Sequence, residues 1–152
     1  MKNDTVNGSY ALDTSVIIEM LVASSLGKWV MNALIADSAQ AYTSDVNLSE
    51  AEYVLCRKLG PEESRSKIDN LKNSNYVTVA NSEQVSRIAA QIKCKRPISL
   101  ADCFCLATGE ATASRPLFAF REKELEREIK RHNGDLKVTF LEDLVNSNVA
   151  RA

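Results

Sequence analysis

Three acidic residues stand at positions where carboxylates could do chemistry. Asp13 interrupts the apolar run at 10–21, after strand-forming residues and before a helical pattern. Glu50 in DVNLSEAEYVLCRKLG and Asp102 in RPISLADCFCLATGEA each lie near the predicted start of a helix. Acids that converge in one cleft repel one another, and proteins usually retain such clusters to hold a divalent cation. The only histidine is His132, so these acids favour an all-oxygen site for Mg²⁺ or Mn²⁺.

Each acid also has a purely structural explanation. Asp13 directly precedes the residues TSV and could cap their helix by accepting hydrogen bonds from its first amides. The segments 47–50 and 99–102 both have the spacing of a capping box, in which the acid reaches back to the amide of the cap residue. The sequence leaves the structural and the chemical interpretation open for all three acids.

The elements that must position these acids alternate between short strands and longer helices. Aromatic and β-branched runs predict five strands, at 9–12, 41–43, 76–79, 117–120 and 137–140. Apolar residues at helical spacing predict seven helices, at 15–22, 28–39, 48–59, 62–72, 83–93, 100–111 and 121–131. This alternation predicts an α/β fold, a three-layer α/β/α sandwich with a mostly parallel sheet of about five strands. Ligands of such sheets bind beyond the carboxyl ends of the strands, where Asp13 lies.

The composition fits one globular domain, which we take to span residues 1–152. Acidic residues interrupt every apolar stretch before the roughly 20 residues of a membrane span, and the amino terminus lacks the pattern of a signal peptide. We therefore expect a cytoplasmic protein with no membrane partner. The four cysteines show no CxxC spacing, so we assign them no chemical role.

Together these segments resemble the PIN-domain nucleases, and among them the VapC-type toxins of prokaryotic toxin-antitoxin pairs. The resemblance rests on LDTSV near the start, the helix-borne acid of NLSEAEYVL and the helix SLADCFCLATGEA, and it spans nearly the whole chain. It implies a PIN-like fold and an Mg²⁺- or Mn²⁺-dependent endoribonuclease that hydrolyses RNA phosphodiester bonds. It also implies a small VapB-like antitoxin as a partner and a homodimer.

The resemblance assigns the metal-binding positions to Asp13, Glu50 and Asp102, with the hydroxyls of Thr14 and Ser15 in support. A fourth acid follows the fourth strand in the family, where this chain has PLFAFREKELER. Spacing favours Glu122 over Glu124, although the family more commonly has Thr-x-Asp where this chain has Phe-Arg-Glu. The segment REKELEREIKR also fits a solvated helix face with i,i+4 ion pairs.

Charge and topology leave other functions open. The 19 basic and 20 acidic residues give a net charge of −1, so bulk charge does not indicate nucleic-acid binding. A basic rim near the acids would suit phosphate, and its candidates are Lys93, Lys95, Arg96, Arg115, Arg121 and Lys123. The alternatives are a PIN-type RNA-processing nuclease without an antitoxin and a non-catalytic binding module on the same fold. An aspartyl-phosphate phosphotransferase is disfavoured, because no second acid follows Asp13 two residues later.

Overall fold

A parallel β-sheet of five strands forms the centre of the computed structural model, which describes residues 7–131 and 134–151. His132 lies outside the described residues. The strands run in the order β3-β2-β1-β4-β5, and every neighbouring pair is parallel. Their bounds are β1 Gly8–Leu12, β2 Ala39–Thr43, β3 Val77–Val79, β4 Arg115–Phe118 and β5 Thr139–Phe140. All five predicted strands are present, with bounds displaced by up to two residues.

Helices cover both faces of this sheet, so the predicted α/β/α sandwich is confirmed. The described ranges contain α1 Thr14–Leu21, α2 Ser25–Ile35, α3 Asp45–Leu59, α4 Pro61–Asn73, α5 Ser82–Lys95, α6 Leu100–Thr112, α7 Lys123–Arg131 and α8 Leu141–Arg151. The seven predicted helices are all found, and α8 was not predicted. The helix predicted at 28–39 is α2, which starts earlier and ends at Ile35. Ala36 caps α2, and Asp37 adopts a left-handed φ of 55° that turns the chain into β2.

The two faces of the sheet bury separate apolar clusters. One cluster joins Leu12 and Leu117 of the sheet to Ile17 of α1 and Leu34 of α2. The other joins Phe118 of β4 to α5, α6 and α7. Residues of β4 therefore alternate between the two clusters, as expected for a strand that is covered on both sides.

Glycine and proline separate α3 from α4, in the gap between the helices predicted at 48–59 and 62–72. Gly60 ends α3 with φ at +86°, a backbone conformation that side chains disfavour, and Pro61 opens α4 at its first turn.

No single helix in the described ranges is long and apolar enough to cross a membrane. The helices α1 and α2 reach the required length and hydropathy only when counted together, and they meet at an angle of 91°.

Candidate active site

Asp13 lies at the junction of β1 and α1, at the carboxyl edge of the sheet. It is the N-cap of α1, and its Oδ2 accepts hydrogen bonds from the amide of Ser15 at 2.9 Å and from the Ser15 hydroxyl at 2.7 Å. The side chain is 4% exposed. The capping role considered for Asp13 is thus confirmed, and the cap holds a carboxylate at the sheet edge.

Ser15 links this cap to the neighbouring strand. While its hydroxyl donates to Asp13, its Oγ accepts a 2.9 Å hydrogen bond from the amide of Ala119, just beyond β4. The amide of Asp13 donates to the carbonyl of Leu117 at 2.9 Å. The ends of β1 and β4 are therefore held together by hydrogen bonds around one carboxylate.

Glu50 reaches the same edge from α3, but through a different local structure from the predicted one. Ser44, and not Asn47, is the N-cap of α3, so the capping box predicted at 47–50 is wrong. Glu50 lies in the second turn, where its half-buried side chain cannot serve the helix amino terminus. Its Oε2 instead accepts a 2.7 Å hydrogen bond from the hydroxyl of Thr14.

A fully buried amide, Asn47, connects three helices beneath the site. Its Nδ2 donates to Thr14 Oγ1 at 3.2 Å and to the carbonyl of Ala101 at 3.1 Å. Its side-chain Oδ1 accepts a hydrogen bond from the Ser44 hydroxyl at 2.5 Å, and its backbone amide donates to Ser44 Oγ at 3.1 Å. This network fixes α3 relative to α1 and α6.

Asp102 occupies the first turn of α6. Ser99 is the N-cap of α6, and its Oγ accepts a 3.0 Å hydrogen bond from the amide of Asp102. Ser99 therefore caps this helix, which is one of the two contacts of the capping box predicted at 99–102. Cys105, one turn further on, donates from Sγ to the carbonyl of Ala11 in β1 at 3.4 Å. This contact packs α6 against the strand that carries Asp13.

Glu122 and Glu124 stand where the chain leaves β4 and enters α7. Glu122 is an exposed residue of the connecting segment, and Glu124 lies in the first turn of α7. The ion pairs around α7 do not follow the predicted i,i+4 pattern. The carboxylate of Glu128 is buried and lies 3.4 Å from the guanidinium groups of both Arg96, the C-cap of α5, and Arg131 in α7. The face of α7 is therefore partly a contact with α5.

The electrostatics place these acids in one neighbourhood. Burial raises the pKa of Asp102 to about 7, and the charges of Asp13, Glu122 and Glu50 add to the shift. Burial and the charge of Glu50 also raise the pKa of Asp13, against the lowering effect of its hydrogen bonds with Ser15 and Thr14. Desolvation raises the pKa of Glu122, followed by the charges of Asp13, Glu50 and Glu124.

No cation within the described residues balances this negative charge. None of Asp13, Glu50, Asp102 and Glu122 forms an ion pair in the ranges that the structure describes. In those ranges, no three Asp, Glu, His or Cys side chains already stand close enough to share one ion. The chemistry of the donor set nevertheless suits a hard divalent cation, because it consists of carboxylate oxygens.

The family is decided by a match along most of the chain. A family model described as PIN domain matches residues 10–134. The chain belongs to the PIN domain family. No curated protein matches it in sequence.

Solved structures share this PIN fold at low sequence identity. VapC20 of Mycobacterium tuberculosis, a sarcin-ricin loop cleaving toxin, is 16% identical with a TM-score of 0.57, over 79% of this chain and 94% of that chain. VapBC2 of Rickettsia felis, solved with a DNA fragment from its promoter, is 14% identical with a TM-score of 0.60, over 87% and 96%. VapBC-1 of nontypeable Haemophilus influenzae is 16% identical with a TM-score of 0.55, over 87% and 96%.

The predicted basic rim of this PIN domain is mostly engaged elsewhere. Arg121 forms ion pairs with Glu126 and Asp143 and lies over the ring of Phe140, and Arg96 pairs with Glu128. Lys93 donates to the carbonyl of Ile98 at 2.6 Å. Arg115 begins β4, so it lies at the opposite edge of the sheet from Asp13. Exposed Lys95 and Lys123 form no ion pair within the described ranges.

The sequence analysis missed the roles of Asn47 and Ala119 in the site. The capping box predicted at 47–50 makes Asn47 a helix cap. However, Ser44 precedes Asn47 by three residues, as Ser99 precedes Asp102. Comparing the two segments could have placed Asn47 at the third helical position. The link from Ser15 to Ala119 spans more than a hundred residues, and no local pattern announces it.

Proposed function

We propose that this PIN-domain protein is an Mg²⁺- or Mn²⁺-dependent endoribonuclease and the toxin of a toxin-antitoxin pair. One observation carries the proposal. Asp13, Glu50, Asp102 and Glu122 come from four separate segments, act on one another electrostatically at the carboxyl edge of the sheet, and have no ion-pair partner in the described ranges. A protein retains such a charge cluster where a bound cation supplies the missing balance, and that cation in turn attracts an anionic substrate.

Asp13 and Asp102 are the most buried of these four acids and are the best candidates to bind the main ion. Asp13, which directly follows β1, and Asp102 in α6 would hold it, and both are less than a tenth exposed. A divalent cation supplies activation of water and neutralises charge that develops on the phosphate. Glu50 and Glu122 are more accessible and would orient the attacking water or a second ion. We assign the fourth position to Glu122 over Glu124, because the charge of Glu122 raises the pKa of Asp102.

Hydrogen bonds from two hydroxyl groups orient two of these acids. Ser15 orients the carboxylate of Asp13 with two hydrogen bonds to Oδ2. Thr14 restrains Glu50 through Oε2. Supported carboxylates lose less conformational freedom when they bind a ligand.

The toxin assignment draws on the structural neighbours and on the chemistry of the edge. One neighbour is a toxin-antitoxin complex from Klebsiella pneumoniae, and others are VapBC-1 of nontypeable Haemophilus influenzae and FitAB bound to a DNA fragment. An edge of carboxylates accepts an arginine guanidinium in bidentate geometry, so an antitoxin tail could block it. Segments of α2 at 29–35 and of α3 at 46–55 would line the groove for that tail. We also propose a cytoplasmic homodimer.

A cleavage assay tests the nuclease. Purified protein should cut unpaired RNA in the presence of Mg²⁺ or Mn²⁺, and EDTA should stop the reaction until Mn²⁺ is restored. Asp37→Asn is a matched control, since Asp37 is an exposed acid in the turn before β2, at the opposite end of that strand from the site. Cleavage that persists in EDTA would exclude the metal mechanism.

A second experiment tests the toxin. The chain is co-expressed with the small reading frame next to its gene, and the complex is weighed in solution and assayed on RNA. We expect a stable complex with suppressed cleavage. A complex that cuts at full rate, or the absence of any complex, would leave an RNA-processing nuclease without an antitoxin.

A further inference from the structure

We propose that Phe120 is a binding platform on which an unpaired base next to the cleaved phosphodiester bond stacks, with Leu100 as a second apolar contact. This inference rests on the proposed ribonuclease function and assigns a residue that contacts the base of the unpaired RNA. Neither residue belongs to the carboxylate set.

Phe120 is exposed where its chain neighbours are not. Leu117, Phe118 and Ala119 are fully buried, whereas Phe120 is 44% exposed. It follows β4 at the carboxyl edge and precedes Glu122 by two residues. Leu100 is 53% exposed and precedes Asp102 by two residues at the start of α6. Two large apolar side chains therefore reach solvent, each two residues before an acid, and the charges of those two acids act on each other.

The backbone on both sides of Phe120 is fixed. The amide of Ala119 donates to Ser15 Oγ at 2.9 Å, and its carbonyl accepts from the amide of Glu142 at 3.2 Å. The amide of Arg121 donates to Glu142 Oε1 at 2.9 Å.

The side chain of Arg121 adds further anchors next to Phe120. It pairs with Glu126 at 3.1 Å and with Asp143, and its guanidinium lies 4.7 Å from the ring centroid of Phe140. An aromatic side chain held on a rigid segment loses little conformational entropy on binding, which is the property of a contact residue.

Charge decides which part of a nucleotide suits this position. The edge carries four acids, so a phosphate away from the cation would be repelled there. A base is uncharged and planar, and it stacks favourably on an aromatic ring whatever its identity. Bases within a duplex are already stacked and paired and cannot offer this face, so Phe120 selects for unpaired RNA.

The test combines protein variants with matched substrates. The substrates are a short unpaired RNA with one mapped cleavage site and the same RNA with an abasic residue on either side of that bond. The variants are Phe120→Ala, Phe120→Trp and the control Tyr76→Ala. Tyr76 is 41% exposed and directly precedes β3, so it lies at the opposite edge of the sheet. Thermal unfolding checks that each variant folds, and fluorescence of 2-aminopurine placed at the same base reports stacking without turnover.

Phe120→Ala should lower kcat/KM on the intact RNA by roughly 5- to 150-fold, and one of the two abasic RNAs should lose this difference. Phe120→Trp should keep near-parental kcat/KM, and Tyr76→Ala should match the parent on all substrates. Equal losses for Phe120→Ala on intact and both abasic RNAs, or no loss at all, would overturn the stacking role while leaving the nuclease intact. A parent protein that cuts no RNA would overturn the proposed function and this inference together.

Discussion

The hydroxyl of Thr14 donates a 2.7 Å hydrogen bond to Oε2 of Glu50, from the first turn of α1 to the second turn of α3. The same Oγ1 accepts a 3.2 Å hydrogen bond from Nδ2 of the buried Asn47. One hydroxyl therefore satisfies a buried amide and restrains a carboxylate at the edge of the sheet. Removing the Thr14 hydroxyl should therefore affect both the stability of the fold and the position of the Glu50 carboxylate.

Thr14→Val keeps the shape of the side chain but removes the hydroxyl. Asn47 then loses a buried acceptor and Glu50 loses its donor, so the free energy of unfolding should fall by about 1–3 kcal/mol. Cleavage should fall as well, because Glu50 is no longer restrained. Urea unfolding and the RNA assay measure the two effects. Thr14→Ser keeps the hydroxyl and is the matched control; if it loses as much activity as Thr14→Val, the hydrogen bond is not responsible.

Asp13→Asn separates the cap from the proposed metal ligand. The amide oxygen can still accept from the Ser15 amide and hydroxyl, so the fold and its stability should persist. The loss of charge should remove ion binding and lower turnover by roughly 100-fold or more, since even outer-shell changes cost about 10- to 100-fold. Calorimetry with Mn²⁺ and the cleavage assay provide the measurements. Full activity in this variant would leave Asp13 with its structural role alone.

The stability of the metal-free protein should depend on pH through Asp102. Its pKa is about 7 in the folded protein and about 3.9 in an unfolded chain. The folded state therefore holds the proton more tightly, and between about pH 4 and pH 7 its stability falls as the pH rises. With EDTA present, the urea midpoint should be lower at about pH 8 than at about pH 5, by an amount worth a few kcal/mol.

Asp102→Asn should flatten that dependence, because the amide has no proton to lose in this range. Mn²⁺ added at the higher pH should recover stability in the parent protein and much less in the variant. A parent midpoint that rises with pH over this interval would show that Asp102 has an ordinary pKa.

Glu122→Gln and Glu124→Gln form a matched pair that tests the fourth acid. Removing the charge of Glu122 should lower the pKa of Asp102, and it should reduce turnover by roughly 10- to 100-fold if Glu122 orients water or an ion. Glu124→Gln should leave turnover near that of the parent. The reverse order of effects would move the assignment to Glu124. Mn²⁺ titration of both variants shows whether the loss arises in ion binding.

The sequence by itself determined the class of fold and the placement of the first acid. Short β-branched runs alternating with helical patterns can bury their apolar sides only in a parallel sheet covered on both faces, and Asp13 follows the central strand directly. Gly60 and Pro61 marked a helix boundary because their backbone restrictions act locally. The helix α8 was not predicted, although the apolar residues of LEDLVNSNVAR recur at helical spacing, at Leu141, Leu144, Val145 and Val149.

Only the tertiary structure decided which side chains meet. The sequence placed Glu50 in a first helical turn, whereas the Ser44 cap moves it to the second turn and the contact with Thr14 brings it to the edge. The link between Ser15 and Ala119 and the engagement of Arg121 by Asp143 depend on neighbouring strands and helices distant in sequence. Local patterns fix backbone conformation over a few residues, but the contacts of a site depend on how whole elements pack. For that reason the acids and the hydroxyls of Thr14 and Ser15 could be named from the sequence, while the hydrogen bonds that join them to each other and to Asn47 and Ala119 could not.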